Sequence, residues 1–165
     1  ETASAGPTTA DIVADAAFYY GLVKFLGTQN RPVWSRLSFA DAHSNFIAGA
    51  REGLRANMRW PRVGTVPVRE LITDHLLDHA REGLELLEVD SELIETYLGI
   101  IEGRARKGQN GATWQLDTLN RLAPNSQPES AERAEALATM MRRYLAHQVN
   151  GQPVHTWPVL SLIHI

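Results

Sequence analysis

Thr8 to Gly27 reads TTADIVADAAFYYGLVKFLG, and its periodicity decides the fold class. Ile12, Ala16, Tyr19 or Tyr20, and Val23 recur at three-to-four spacing, the period of an α-helix with one apolar face. A hydroxyl at Thr8 or Thr9 can cap the start and Gly27 can end it, so the spacing predicts a helix from Thr9 to about Leu26. Its aromatic content suggests a buried packing helix.

Reading outward, the same period continues between breaks that each carry turn chemistry. Arg31-Pro32 biases the connector toward an extended path, after which Ser38 and Asp41 form a variant capping signal. Phe39, Ala42, Phe46, Ala50, Leu54 and Met58 then fall on one helical face, with Arg51, Arg55 and Arg59 at i,i+4 along a flank. Pro67 suits the first turn of a third helix reaching Leu87, and Asp90 or Ser91 starts a fourth. Gly108 to Gly111 ends that helix, and Asn110 can cap a short one around Trp114. Ser126 and Glu129, in an S-x-x-E arrangement, announce the last helix, which Gly151 and Pro153 stop. No convincing strand is read anywhere. The expected fold is therefore mainly α, an irregular bundle of about six helices.

Composition narrows the function. At 165 residues with 44% hydrophobic and 21% charged, the chain can build one ordinary core. Sixteen basic against nineteen acidic residues leave a formal charge of -3, which lacks the electrostatic footprint of a nucleic-acid binder. The absence of cysteine rules out a disulfide frame, a thiolate metal site and a cysteine nucleophile, and fits a reducing, cytoplasmic setting. The longest apolar run, Ala16 to Leu26, is interrupted by Gly21 and Lys24 and falls short of the ~20 residues of a membrane span.

Two constellations could carry chemistry. Arg51, Arg55 and Arg59, with Arg62 beyond, present guanidinium groups suited to forked bonds with carboxylate or phosphate; the bland reading is a solvated basic face. His75 and His79 stand at i,i+4 beside Asp74 and Asp78, a spacing for metal binding that lacks a third ligand, or else a packed or surface pair. Arg104, Arg106 and Lys107 need no ligand, because cations at a helix C-terminus favour the helix dipole. Asn45, inside a helix, calls for either a solvent-facing position or a specific hydrogen bond. No P-loop, dinucleotide fingerprint, G-x-S-x-G elbow or zinc-knuckle spacing occurs.

The order of segments adds a resemblance. Pro7 to Val23 (PTTADIVADAAFYYGLV), Asn45 to Leu54 (NFIAGAREGL) and Leu76 to Leu84 (LLDHAREGL) are followed by Tyr97 to Glu102, Gly108 to Gln115 and Pro153 to Val159. Together they resemble the C-terminal region of bacterial family 2 glutamate-cysteine ligases and their carboxylate-amine ligase relatives. The resemblance implies the helical flank of a glutamine-synthetase-like α/β ligase whose catalytic sheet lies largely upstream. It also implies ATP and Mg2+ bound mainly by that upstream region, amino acids and ATP as small-molecule partners, and formation of an amide through an acyl phosphate. Arg51 is then the expected binder of a substrate carboxylate or nucleotide phosphate, and Asn45 its orienting group or a substrate contact. Arg55 and Arg59 are further substrate-binding candidates on the same flank. A homo-oligomer is compatible with this reading, and a fragment alone is expected to be inactive.

The competing expectation is a non-catalytic helical interaction module with exposed apolar faces. The helical ligase portion is expected to span residues 1–159. Leu160 to Ile165, LSLIHI, matches one reading frame of a transposon mosaic-end sequencing adapter and is expected to be read-through. The chain opens without an initiator methionine, which suggests a start inside a longer frame.

Overall fold

The computed structural model describes residues 6–159; the expected adapter tail lies outside them. In chain order the elements are α1 (Thr9–Thr28), α2 (Phe39–Glu52), β1 (Asn57–Trp60), β2 (Gly64–Pro67), α3 (Val68–Leu71), α4 (Leu77–Glu85), α5 (Ser91–Lys107), α6 (Gly111–Leu122) and α7 (Ala131–Val149). A π-helical turn, Ile72–Leu76, joins α3 to α4. Among the described residues no helix is long and apolar enough to cross a membrane. The described residues form two compact units, residues 13–108 and residues 6–12 with 109–159. The mainly helical expectation holds.

Within residues 13–108, α1 and α4 meet backbone to backbone. A Cβ on Gly83 would collide with the Gly21 carbonyl oxygen and sit 2.7 Å from its carbon, and one on Gly21 would lie 2.9 Å from the Ala80 carbonyl carbon. The two glycines permit that approach because they have no side chain to displace. Beside the crossing, Phe25 stacks on His79 with centroids 4.2 Å apart. Leu71, Leu76, Leu77 and Leu84 are buried with Ile94, Leu98, Ile101 and Ala105 of α5, whose spacing is that of one helical face. Arg104 and Asp15 add an ion pair at 2.6 Å, with the arginine side chain only 11% exposed. Arg69 donates from Nε to the Ala105 carbonyl at 2.5 Å and from its guanidinium to the Arg106 carbonyl. This side chain satisfies the last carbonyls of α5, while Gly108, at φ 69, terminates the helix.

In the other unit, buried Asp11 organises two backbone regions. Its carboxylate accepts from the Thr8 hydroxyl at 2.8 Å and the Thr8 N–H at 3.2 Å, while the Thr8 hydroxyl accepts from the Asp11 N–H. This is a capping box in which aspartate takes the glutamate place, and Thr8 is the cap. The same carboxylate also accepts from the Val154 N–H, at 3.3 and 3.2 Å. Buried Gln109 donates to the carbonyls of Val154 and Trp157 at 2.7 and 2.9 Å. Trp157, fixed in this way, packs edge-on to Trp114 and Tyr144 and stacks on His147. Asn110 caps α6 reciprocally with Thr113, as its position predicts.

Three expectations are corrected. The α1 face expected to be buried is not: Ile12, Tyr19, Tyr20 and Val23 are 46, 58, 62 and 50% exposed, and Gly21 and Phe25 make the helix contacts instead. The helix from Ser38 does not reach Met58: it ends at Glu52, where Gly53 adopts φ 56, and residues 57–67 form an antiparallel hairpin pairing Met58 with Val66 and Trp60 with Gly64. Pro61, Arg62 at φ 68 and Gly64 at φ 92 shape its turn. The last helix is capped by Ser130, not Ser126, because the Ser126 hydroxyl donates to the Ala123 carbonyl and closes the turn after α6, while Ser130 accepts from the Arg133 N–H.

Gly83→Ala should lower stability by about 2 kcal/mol or more, since the added methyl meets immobile backbone; thermal melting measures it, and an unchanged midpoint would refute the backbone crossing. A pH effect follows from the two packed imidazoles. Burial lowers the pKa of His147 below 6.5, with Arg143 adding to it, and burial lowers that of His79, with His75 adding and Glu82 and Asp78 opposing. The unfolded chain therefore binds more protons as pH falls through 6.5, so this stability is complete above 6.5 and declines toward the folded pKa. Melting midpoints between about pH 8 and about pH 5.5 should fall less for His147→Phe than for the native chain.

Candidate functional site

The basic residues expected on one helical ridge occupy three different elements. Arg51 lies in the last turn of α2, Arg55 ends a 3-10 turn (Gly53–Arg55) and Arg59 lies on β1. All three are exposed. An i,i+4 ridge requires continuous helix, and Gly53 breaks it, so the ridge expectation is corrected.

Asn45 resolves its two readings in favour of a specific hydrogen bond. Its Nδ2 donates to the Arg59 carbonyl at 2.8 Å, and its Oδ1 accepts from the Arg59 N–H at 2.8 Å. The amide thus imitates a strand residue and pairs with the outward-facing backbone of β1. Pro67, which lacks an N–H, ends the opposite edge at β2. Asn45 therefore ties the hairpin to α2 and positions Arg59 rather than Arg51.

The Arg59 guanidinium lies 3.5 Å from Asp41, a largely exposed pair that solvent screens. Asp41 also joins the α2 cap, accepting from the Ser38 hydroxyl at 2.8 Å while its N–H donates to Ser38 Oγ. Arg59 is thus anchored near the start of α2, whereas Arg51 stands ten residues later, about 15 Å along the axis at 1.5 Å per residue. Arg51 and Arg55 form no ion pair with another described residue. The structure sets Arg59 apart from Arg51. It presents two separated cationic positions, each able to make forked bonds to an oxyanion.

His75 lies in the π-helical turn and His79 packs against Phe25, with its Nδ1 buried and without a hydrogen-bond partner. Among the described residues no group of three or more His, Asp or Glu is placed to hold a metal ion. A groove of about 330 Å³ does occur, bounded by Val13, Ala17, Tyr20, Leu84, Leu93 and Tyr97. Aliphatic side chains and two tyrosines line it with no charged group to hold a carboxylate or phosphate, so it reads as a packing surface. Sequence reasoning passed over Asp11 and Gln109; a T-x-x-D pattern at the helix start was the available sign for the first, and no local pattern marks the second. Comparison with protein-family models, with curated proteins and with solved structures returns no match for this chain.

Asn45→Ala should free both backbone groups of Arg59 and cost about 1 to 2 kcal/mol locally. The check is amide hydrogen exchange: Arg59 should exchange roughly tenfold faster or more, with α5 amides unchanged.

Proposed function

We propose that this chain is the helical portion of an ATP-dependent carboxylate-amine ligase, with glutamate-cysteine ligation as the activity. The observation that carries the reading is the collinearity of the resembling segments from Pro7 to Val159. Their contacts lend support, because the segments supply the framework within each unit: Gly21 and Gly83 make the α1–α4 crossing, and Gln109 holds Val154 and Trp157. In this reading Arg51 binds a substrate carboxylate or a nucleotide phosphate by charge-assisted bonds, and Asn45 secures the hairpin that carries Arg59. Mg2+ and ATP belong to the upstream region of the parent. The described residues offer no cluster suited to the metal, so no step is assigned to it here.

The reaction in the parent would transfer the γ-phosphoryl group of ATP to the glutamate side-chain carboxylate. The cysteine amine then attacks the acyl phosphate, releasing phosphate and forming the amide. Positioning and charge neutralisation supply the catalysis. A second reading, a helical interaction module, is favoured by the apolar groove and by exposed Tyr20, Phe39 and Phe46.

Phosphate release by the full-length parent should require ATP, glutamate and cysteine together, and this chain alone should release none. Arg51→Ala in the parent should lower kcat/KM by about tenfold or more with the circular dichroism unchanged. An unchanged rate removes Arg51 from the site, and no release with any amino-acid pair favours the interaction module.

A further inference from the structure

Helix α7 is apolar on two faces. Ala136 and Met140 are buried, while Leu137, Met141 and Leu145 remain 40, 46 and 52% exposed. Ala134 and Ala138 are also exposed and lie on that outer face. Positions 134, 138, 141 and 145 alternate spacings of four and three, the seam of a helix pair, with two small residues at one end and two large ones at the other. Along one edge of the seam, Glu135 and Arg142 stand two turns apart, their side chains 74 and 66% exposed, and meet at 3.0 Å.

We propose that this face binds a second copy of the chain, with the two α7 helices packed antiparallel about a two-fold axis at the middle of the seam. In that register Ala138 faces Met141 of the second copy and Ala134 faces Leu145, so small meets large in every layer. The same operation sets Glu135 opposite Arg142 of the second copy, twice. Parallel packing would put the two Glu135 on opposite edges and set Arg142 beside Leu137 of the second copy, so only the antiparallel arrangement pairs these charges across the seam. One helix pair is a small interface, and the dimer should be weak, with Kd of roughly 10 to 100 µM. The inference rests on α7 alone and stands or falls independently of the ligase reading.

Sedimentation equilibrium of this chain over a concentration series tests it, with circular dichroism confirming the fold of each variant. The native chain should pass from monomer to dimer and no further. Met141→Lys should abolish the dimer, and Arg142→Glu should weaken it about tenfold by opposing like charges at both contacts with Glu135. Adding Glu135→Arg to Arg142→Glu should restore it. Leu116→Lys, at an exposed leucine of α6, should leave association unchanged and so separates this face from general stickiness. A native chain that stays monomeric, open-ended polymers, equal loss in Leu116→Lys, or indifference to Arg142→Glu would each overturn the proposal.

Discussion

The backbone contact between Gly21 and Gly83 is the constraint around which residues 13–108 are arranged. Two helices normally pack 8 to 10 Å apart because side chains fill the gap. Here Gly21 and Gly83 carry none at the crossing. Beside the crossing Phe25 stacks over His79, and Ala80 is fully buried. The neighbouring leucines of α3 and α4 can then bury against α5 with the ordinary helical stripe.

The other unit solves a different problem. Residues 152–158 have little regular structure, so their backbone groups need partners from elsewhere when buried. Asp11 takes the Val154 N–H, Gln109 takes two carbonyls, and the Trp157 indole donates to the Gln152 carbonyl at 2.7 Å. Once the segment is held, Trp157 can join Trp114, Tyr144 and His147 in one aromatic cluster. Burial there, helped by the charge of Asp11, raises the Tyr144 pKa above its usual 10.0. A polar clamp thus makes an apolar core possible.

The cationic residues around α2 show how the same economy shapes a candidate site. A single side chain, Asn45, satisfies both outward-facing backbone groups of Arg59 and thereby fixes the edge of a two-stranded sheet that would be marginal by itself. The result holds Arg59 near the start of α2, away from Arg51 in its last turn. Under the proposed ligase function, Arg51 and Arg59 would contact separate anionic groups.

Much of the helical layout was legible in the sequence because its signals are local. Thr8, Ser38, Asp90 and Asn110 cap helices where their positions and neighbours place them, and Gly108 ends α5, since capping is settled within one turn of chain. The hairpin at 57–67 was not legible: Arg51, Arg55 and Arg59 keep helical spacing, and only the left-handed turn at Gly53 and the docking of Asn45 onto β1 decide for strand. Nor could Asp11, Gln109 or the Gly21–Gly83 contact be assigned, because each depends on a partner far away in the chain. Sequence by itself determined the local periodicity and the helix starts; tertiary structure alone decided which polar side chains are buried, and where an arginine ridge gives way to a sheet edge, because those choices are made by backbone groups seeking partners across space.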